Sequence, residues 1–203
     1  MTTIKIDPSR PGTDAIDNAV KVLNAGGIVA FPTDTVYGIA AMPLNKKAVS
    51  KLYMLKGRSN KKPIAILISS KAQARKFAAS IPAKAAQLMK KHWPGPLTLI
   101  FEKRSSVPDL LTSGLKTIGI RMPKNNIALK LIKKSGGALA VTSANRSGNE
   151  PAARAGQIKG LKGIDLILDG GECEIGVPSS IISFIDGKTE ILRKGSCKIP
   201  ANF

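Results

Sequence analysis

Short β-branched runs alternate with amphipathic helical stretches along nearly the whole 203-residue chain, and that alternation restricts the fold more than any single motif. Asp14 to Ala25 reads as a helix, with Ala15, Ile16, Ala19, Val20 and Leu23 on one face and Gly26-Gly27 as its stop. Ile28–Phe31 follows as a buried strand closed by Pro32, and Lys46–Leu55 reads as a second helix. Ile64–Ile68 is too short for a typical helix and β-branched enough for a strand. Further helices are expected over Lys71–Ala79, Ala83–Lys91 and Ile127–Lys134. Strands are expected at Leu97–Phe101, Ile118–Arg121, Leu139–Val141, Leu166–Leu168, Ile181–Ile185 and Ile191–Arg193. Interleaved strands and helices define an α/β domain, and the closely spaced C-terminal strands add antiparallel pairing. The expected architecture is one open, twisted mixed sheet with flanking helices, residues 1–203 forming a single domain.

Composition narrows the class. No apolar run approaches the roughly 20 residues that cross a bilayer, and Met1-Thr2-Thr3-Ile4-Lys5 lacks the apolar core of a secretory signal. Cys173 and Cys197 have neither a metal-ligand spacing nor the pattern of a disulfide framework. A cytoplasmic protein with no membrane association and no structural metal is expected. Charge is the outlier: 32 Lys and Arg stand against 13 acids, a net charge of +19. Such a field attracts polyanions, nucleotide or RNA alike. The lysine doublets are dispersed along the chain, so a solvated surface with one basic cleft and a true RNA-binding face both remain open.

Candidate functional segments lie where strands end, the usual place for ligands in open α/β folds. Phe31-Pro32-Thr33-Asp34-Thr35-Val36-Tyr37-Gly38 leaves a buried strand and places Thr33, Thr35 and Tyr37 at a sheet edge; an Asx-type turn is the plain alternative. Lys56-Gly57-Arg58 follows the second helix, where Lys56 suits a helix C-terminus. Arg58 belongs to a dense cationic loop with Lys61 and Lys62 and no nearby acid, which favours an anion ligand. Ser143-Ala144-Asn145 sits at another strand end and can orient oxygens through neutral hydrogen bonds, or be ordinary loop chemistry. The glycine clusters fit neither a Walker A loop nor a dinucleotide fingerprint. The sole histidine, His92, reads as a turn or packing residue, so no Ser-His-Asp or Cys-His device can be built.

Together the segments carry a resemblance. The Phe31–Gly38 stretch, Lys56-Gly57-Arg58, Trp93-Pro94-Gly95-Pro96-Leu97-Thr98, Arg121-Met122-Pro123, Ser143-Ala144-Asn145 and Pro178-Ser179 occur in the order of the YrdC-domain family. The similarity runs from roughly Ala15 to Gly195, and no extra C-terminal domain of the kind carried by longer members is expected. The resemblance implies an open twisted sheet with a concave basic groove. It also implies synthesis of threonylcarbamoyl-adenylate and pyrophosphate from L-threonine, bicarbonate and ATP, with Mg²⁺ accompanying the ATP. The product would supply a separate threonylcarbamoyl-transferase complex acting on adenosine 37 of tRNA. By motif position, Lys56, Arg58, Ser143, Asn145 and Arg193 would contact ATP, the adenylate or pyrophosphate, with Lys56 and Arg58 catalytic. Thr33, Arg121 and Ser179 would hold threonine, with Tyr37 and Thr117 lining the pocket.

Some positions depart from the family pattern. Asn125-Asn126 stands where His-Pro is usual, Ser180 and Ser183 replace a threonine and an acid after Pro178-Ser179, and Glu150-Pro151-Ala152 replaces Ser-Pro-Thr. Two other readings stay open: a tRNA- or double-stranded-RNA-binding module, and a carbamoyltransferase relative that uses carbamoyl phosphate.

Overall fold

The computed structural model describes residues 1–57, 62–158 and 160–199. Its strands are β1 (Thr2–Lys5), β2 (Val29–Phe31), β3 (Gly38–Ala41), β4 (Ala65–Ile68), β5 (Leu97–Glu102), β6 (Thr117–Arg121), β7 (Ala138–Ser143), β8 (Leu166–Asp169), β9 (Ser180–Ile185) and β10 (Lys188–Arg193). The helices are α1 (Thr13–Asn24), α2 (Lys46–Leu55), α3 (Ala83–His92), α4 (Asp109–Thr112) and α5 (Asn126–Lys134). All ten strands join one mixed sheet in the order β1-β8-β2-β3-β7-β4-β6-β5-β9-β10. None of the described helices is long and apolar enough to cross a membrane.

Local chemistry explains the helix ends. Asn45 caps α2 by accepting from the Ala48 N–H at 3.0 Å, and Asn125 caps α5 by accepting from Ala128 N–H at 3.0 Å. Asn125, a departure from the family pattern, therefore has a structural task of its own. Gly57 ends α2 with φ +57°, a left-handed conformation that side chains resist. The stretch from Lys71 forms a 3₁₀ helix over Lys71–Lys76 instead of an α-helix reaching Ala79. The Gln73 carboxamide oxygen accepts from the Ser69 and Ser70 N–H groups, closing a tight capping turn.

Period-two alternation sends successive strand residues to two apolar layers. Ile39, Ile66, Leu99, Ile120 and Phe184 enter one layer beneath α2 and α3. Ala40, Leu67, Leu139, Val141 and Leu166 enter the other with Ile16 and Leu23 of α1 and Ile127 and Leu131 of α5. That second layer receives no described residue from β5, β6, β9 or β10. Over those strands the same sheet face carries Thr98, Gly119, Arg121 and Ile181, while α1 and α5 pack on β2, β4, β7 and β8. Among the described residues, one half of one face is thus left uncovered by that layer.

The sheet must also curl. Residues 170–179 join β8 to β9, which are seven strand spacings apart in the sheet order, about 34 Å if flat. Ten residues span that only when nearly fully extended, yet Gly171 and Gly176 have positive φ and turn the chain. On its way this strap donates from Cys173 N–H to Ala153 O and from Ile175 N–H to Asp34 O. Thr33, Thr35 and Tyr37 consequently lie in a buried connection between two interior strands, not at a sheet edge.

Candidate functional site

The uncovered face forms a groove of about 360 Å³. Its floor is made by short side chains and backbone from Gly38, Ala65, Thr98, Val141 and Ser143. Of the residues expected from sequence, Thr33, Tyr37, Arg121, Ser143, Asn145, Ser179 and Arg193 line it. Arg58 and Lys61 lie outside the described residues. Thr117 begins β6 on the strand face of Arg121, outside the lining.

At one end, Lys56 is buried at 1% exposure behind the lining. Its ammonium donates to Ser143 O at 2.7 Å, Ser143 Oγ at 3.2 Å and Asn145 Oδ1 at 2.5 Å. Ser143 Oγ donates to the same Asn145 Oδ1 at 2.6 Å, and Asn145 Nδ2 donates to Asn149 O at 2.6 Å. The Ser147 N–H donates to Lys56 O at 2.9 Å, tying the following loop to the end of α2. Pairing of Gly38 with Ser143 in the β3–β7 ladder sets the register of the cluster. The helix-cap reading of Lys56 holds for its backbone, but its side chain turns inward to this network.

At the other end, Arg121 is 6% exposed and held by three hydrogen bonds. Its Nε donates to Gly95 O at 3.0 Å, Nη1 to Thr35 Oγ1 at 2.8 Å, and Nη2 to Asp34 Oδ1. Burial lowers the Arg121 pKa while Asp34 opposes that shift; a guanidinium nonetheless stays charged in proteins. Arg193 donates from Nε to Ser179 O at 2.9 Å and from Nη2 to Ser179 Oγ at 3.2 Å. A bulge between Ile191 and Arg193 brings Arg193 opposite Ile181, on the groove face. Arg193, expected from sequence among the nucleotide contacts, makes both bonds to Ser179, expected from sequence to hold threonine. Ser179 Oγ also lies 2.8 Å from Thr98 Oγ1.

The Thr33–Tyr37 connection holds these ends together. Thr33 Oγ1 donates to Val36 O at 2.7 Å and accepts from the Thr35 N–H at 3.1 Å, so Thr33, not Asp34, makes the turn. The Tyr37 ring borders the groove, but its hydroxyl points elsewhere, donating to Gly171 O at 2.7 Å. Burial first, then Asp169, push its pKa upward, so it remains a neutral donor. Burial likewise raises the Cys173 thiol to about 11, leaving it protonated at neutral pH. His92, the last residue of α3, sets Nδ1 3.4 Å from Cys197 Sγ, a packing role. No group of three or more His, Cys, Asp or Glu side chains among the described residues could hold a metal.

Sequence reasoning missed Asp34 and Thr98 as site components. Thr98 carried a signal: a hydroxyl inside the apolar run Leu97–Phe101, where burial requires a partner. Asp34 carried less, since a Thr-Asp-Thr stretch reads equally well as a turn.

The fold is thus a curled, open α/β sheet with cations, hydroxyls and an amide gathered along one uncovered face. Comparison with known proteins makes the class specific. The family model Sua5_yciO_yrdC, described as "Telomere recombination", matches residues 21–195; the chain belongs to the Sua5/YciO/YrdC family. The threonylcarbamoyl-AMP synthase of Pyrococcus abyssi is 42% identical over 179 residues, covering 87% of this chain and 53% of that protein. The synthase of Bacillus subtilis is 41% identical over 183 residues, covering 89% and 53%. The crystal structure of P. abyssi Sua5 complexed with L-threonine superposes with a TM-score of 0.92 at 39% identity, covering 96% of this chain and 58% of that one. The chain spans about half the length of these relatives.

Proposed function

We propose that this chain condenses L-threonine, bicarbonate and ATP into threonylcarbamoyl-adenylate with release of pyrophosphate. The observation that carries this reading is the two-ended groove: Lys56, Ser143 and Asn145 interlock at one end, and Arg121, Arg193 and Ser179 gather at the other. Relatives of the same family are threonylcarbamoyl-AMP synthases, and one is solved with L-threonine.

In this reading Arg121 receives the amino-acid carboxylate, a planar group suited to a guanidinium. Ser179, held by Thr98 and Arg193, supports the same ligand. The threonine amine attacks bicarbonate, forming the carbamate N–C bond and releasing water. A carbamate oxygen then attacks the α-phosphorus of ATP, and the bond to the β-phosphate breaks as pyrophosphate leaves. Lys56 stabilises charge growing on the phosphate oxygens, with Arg58 as its expected partner and Ser143 and Asn145 as neutral donors. Mg²⁺ would enter with the ATP, where it would offset the mutual repulsion of the phosphates. Holding carbamate and phosphate in contact removes the entropic cost of their encounter, and pre-set donors need no reorganisation as charge develops. No protein nucleophile is required. The adenylate would then serve a separate complex that modifies tRNA.

The test is pyrophosphate release by the purified chain with ATP and Mg²⁺, with threonine or bicarbonate omitted in turn and the adenylate detected by mass spectrometry. Release that requires both co-substrates supports the assignment. Release independent of threonine, or dependent on carbamoyl phosphate, overturns it, and a chain that binds RNA and releases nothing is a binding module.

A further inference from the structure

Asp34 belongs to no substrate contact proposed so far, yet it is among the most completely buried charged residues, at 2% exposure. Its carboxylate lies 87 residues from Arg121 in sequence and pairs with the Arg121 Nη2. Its other oxygen, Oδ2, is buried without a hydrogen-bond partner among the described residues. Its backbone carbonyl accepts from Ile175 N–H of the strap at 3.0 Å. A buried carboxylate left half satisfied is expensive, and an Asx turn does not explain it because Thr33 makes that turn.

We infer that Asp34 is a positioning residue for recognition of the amino-acid carboxylate. With Gly95 O on Nε and Thr35 Oγ1 on Nη1, Asp34 is the third acceptor fixing the Arg121 guanidinium. A guanidinium has five N–H donors; three are spent on these acceptors, and one remains on each terminal nitrogen. Those two are left for a ligand, and a carboxylate has two oxygens to accept them bidentately. Asp34 thus selects which donors stay available and holds their plane, while its charge keeps the guanidinium tolerable inside the protein before ligand arrives. Asp34 lies outside the groove lining, so its influence passes through Arg121.

This inference rests on the proposed threonine-activating function. The test measures threonine KM and kcat by pyrophosphate release, and ATP binding by calorimetry without threonine, for the parent, Asp34→Asn, Arg121→Lys and the double variant. Asp34→Asn is expected to raise threonine KM at least tenfold with kcat within about threefold and ATP affinity unchanged. In the Arg121→Lys background the same change is expected to add little, because its target is already gone. Unchanged threonine KM in Asp34→Asn, an equal loss of ATP binding, or full additivity in the double variant overturns the inference. Should Asp34→Asn not fold, Thr35→Val removes a second acceptor at conserved volume and is expected to raise threonine KM in the same direction; an unchanged KM there also overturns it. Failure of the functional reading shows separately, as a parent protein that releases no pyrophosphate with threonine.

Discussion

The Lys56 ammonium lies 2.7 Å from the carbonyl oxygen of Ser143, a residue 87 positions further along the chain, and 3.2 Å from its hydroxyl. A lysine at 1% exposure is a component of the core as well as of the site. Replacing it with methionine keeps the stem but removes the donor shared by Ser143 O and Asn145 Oδ1. Lys56→Met is expected to cost about 1–3 kcal/mol of stability and to lower threonine-dependent pyrophosphate release on the order of 100-fold. Urea denaturation and the release assay read the two effects separately. A parental rate in the folded variant would remove Lys56 from the chemistry.

Tyr37 offers a contrast, because its hydroxyl serves the strap and not the groove. Tyr37→Phe removes the donor from a part-buried hydrogen bond to Gly171 O. A loss of about 1 kcal/mol is expected, seen as a lower urea midpoint with an unchanged slope.

Gly195 is tied to the site by close approach. A Cβ there would stand 2.4 Å from Pro178 O and 2.5 Å from the Ser179 carbonyl carbon, both backbone atoms that cannot swing aside. Gly195→Ala is therefore expected to cost about 1–3 kcal/mol and to raise threonine KM by displacing Ser179 from Thr98 and Arg193. Retained KM together with retained stability would show that the strap yields more easily than its packing indicates.

Acid sensitivity should trace to the one histidine. Burial, then Lys91, hold His92 below its ordinary value in the folded state. In the window beneath about 6.5 the unfolded chain binds the extra proton and the folded chain does not, so stability falls as pH drops through that range. His92→Gln is expected to flatten the dependence of the urea midpoint between pH 7.5 and 5.5. An identical slope in the variant would assign it to other groups.

Much of the fold is legible because its central strands are β-branched and its helices have clean apolar faces, as in Ile16, Ala19 and Leu23. β1 escapes notice because Thr2, Thr3 and Lys5 are exposed on a sheet edge and leave no alternation. β3 escapes because Gly38-Ile39-Ala40-Ala41 has weak strand propensity; neighbours on both sides and apolar layers on both faces make it a strand. In the site, Lys56, Ser143 and Asn145 are legible from their motifs. Asp34 is not, since a local stretch cannot show that its counter-charge comes from another strand. The direction of the Tyr37 hydroxyl is hidden for the same reason, its acceptor being 134 residues away.

The strap and the final hairpin have a consequence for how the protein is made. Groove residues come from Thr33 at one extreme and Arg193 at the other, and the last of them arrives on β10. Contacts of such long sequence separation form late and slowly. A nascent chain that has emerged past β7 to Asn145 already carries Thr33, Lys56, Arg121, Ser143 and Asn145 but neither Ser179 nor Arg193, so the candidate site is still incomplete. The groove is therefore complete only once β10 has been made, and a cut in residues 170–178 would fall between the two sets of residues that line it.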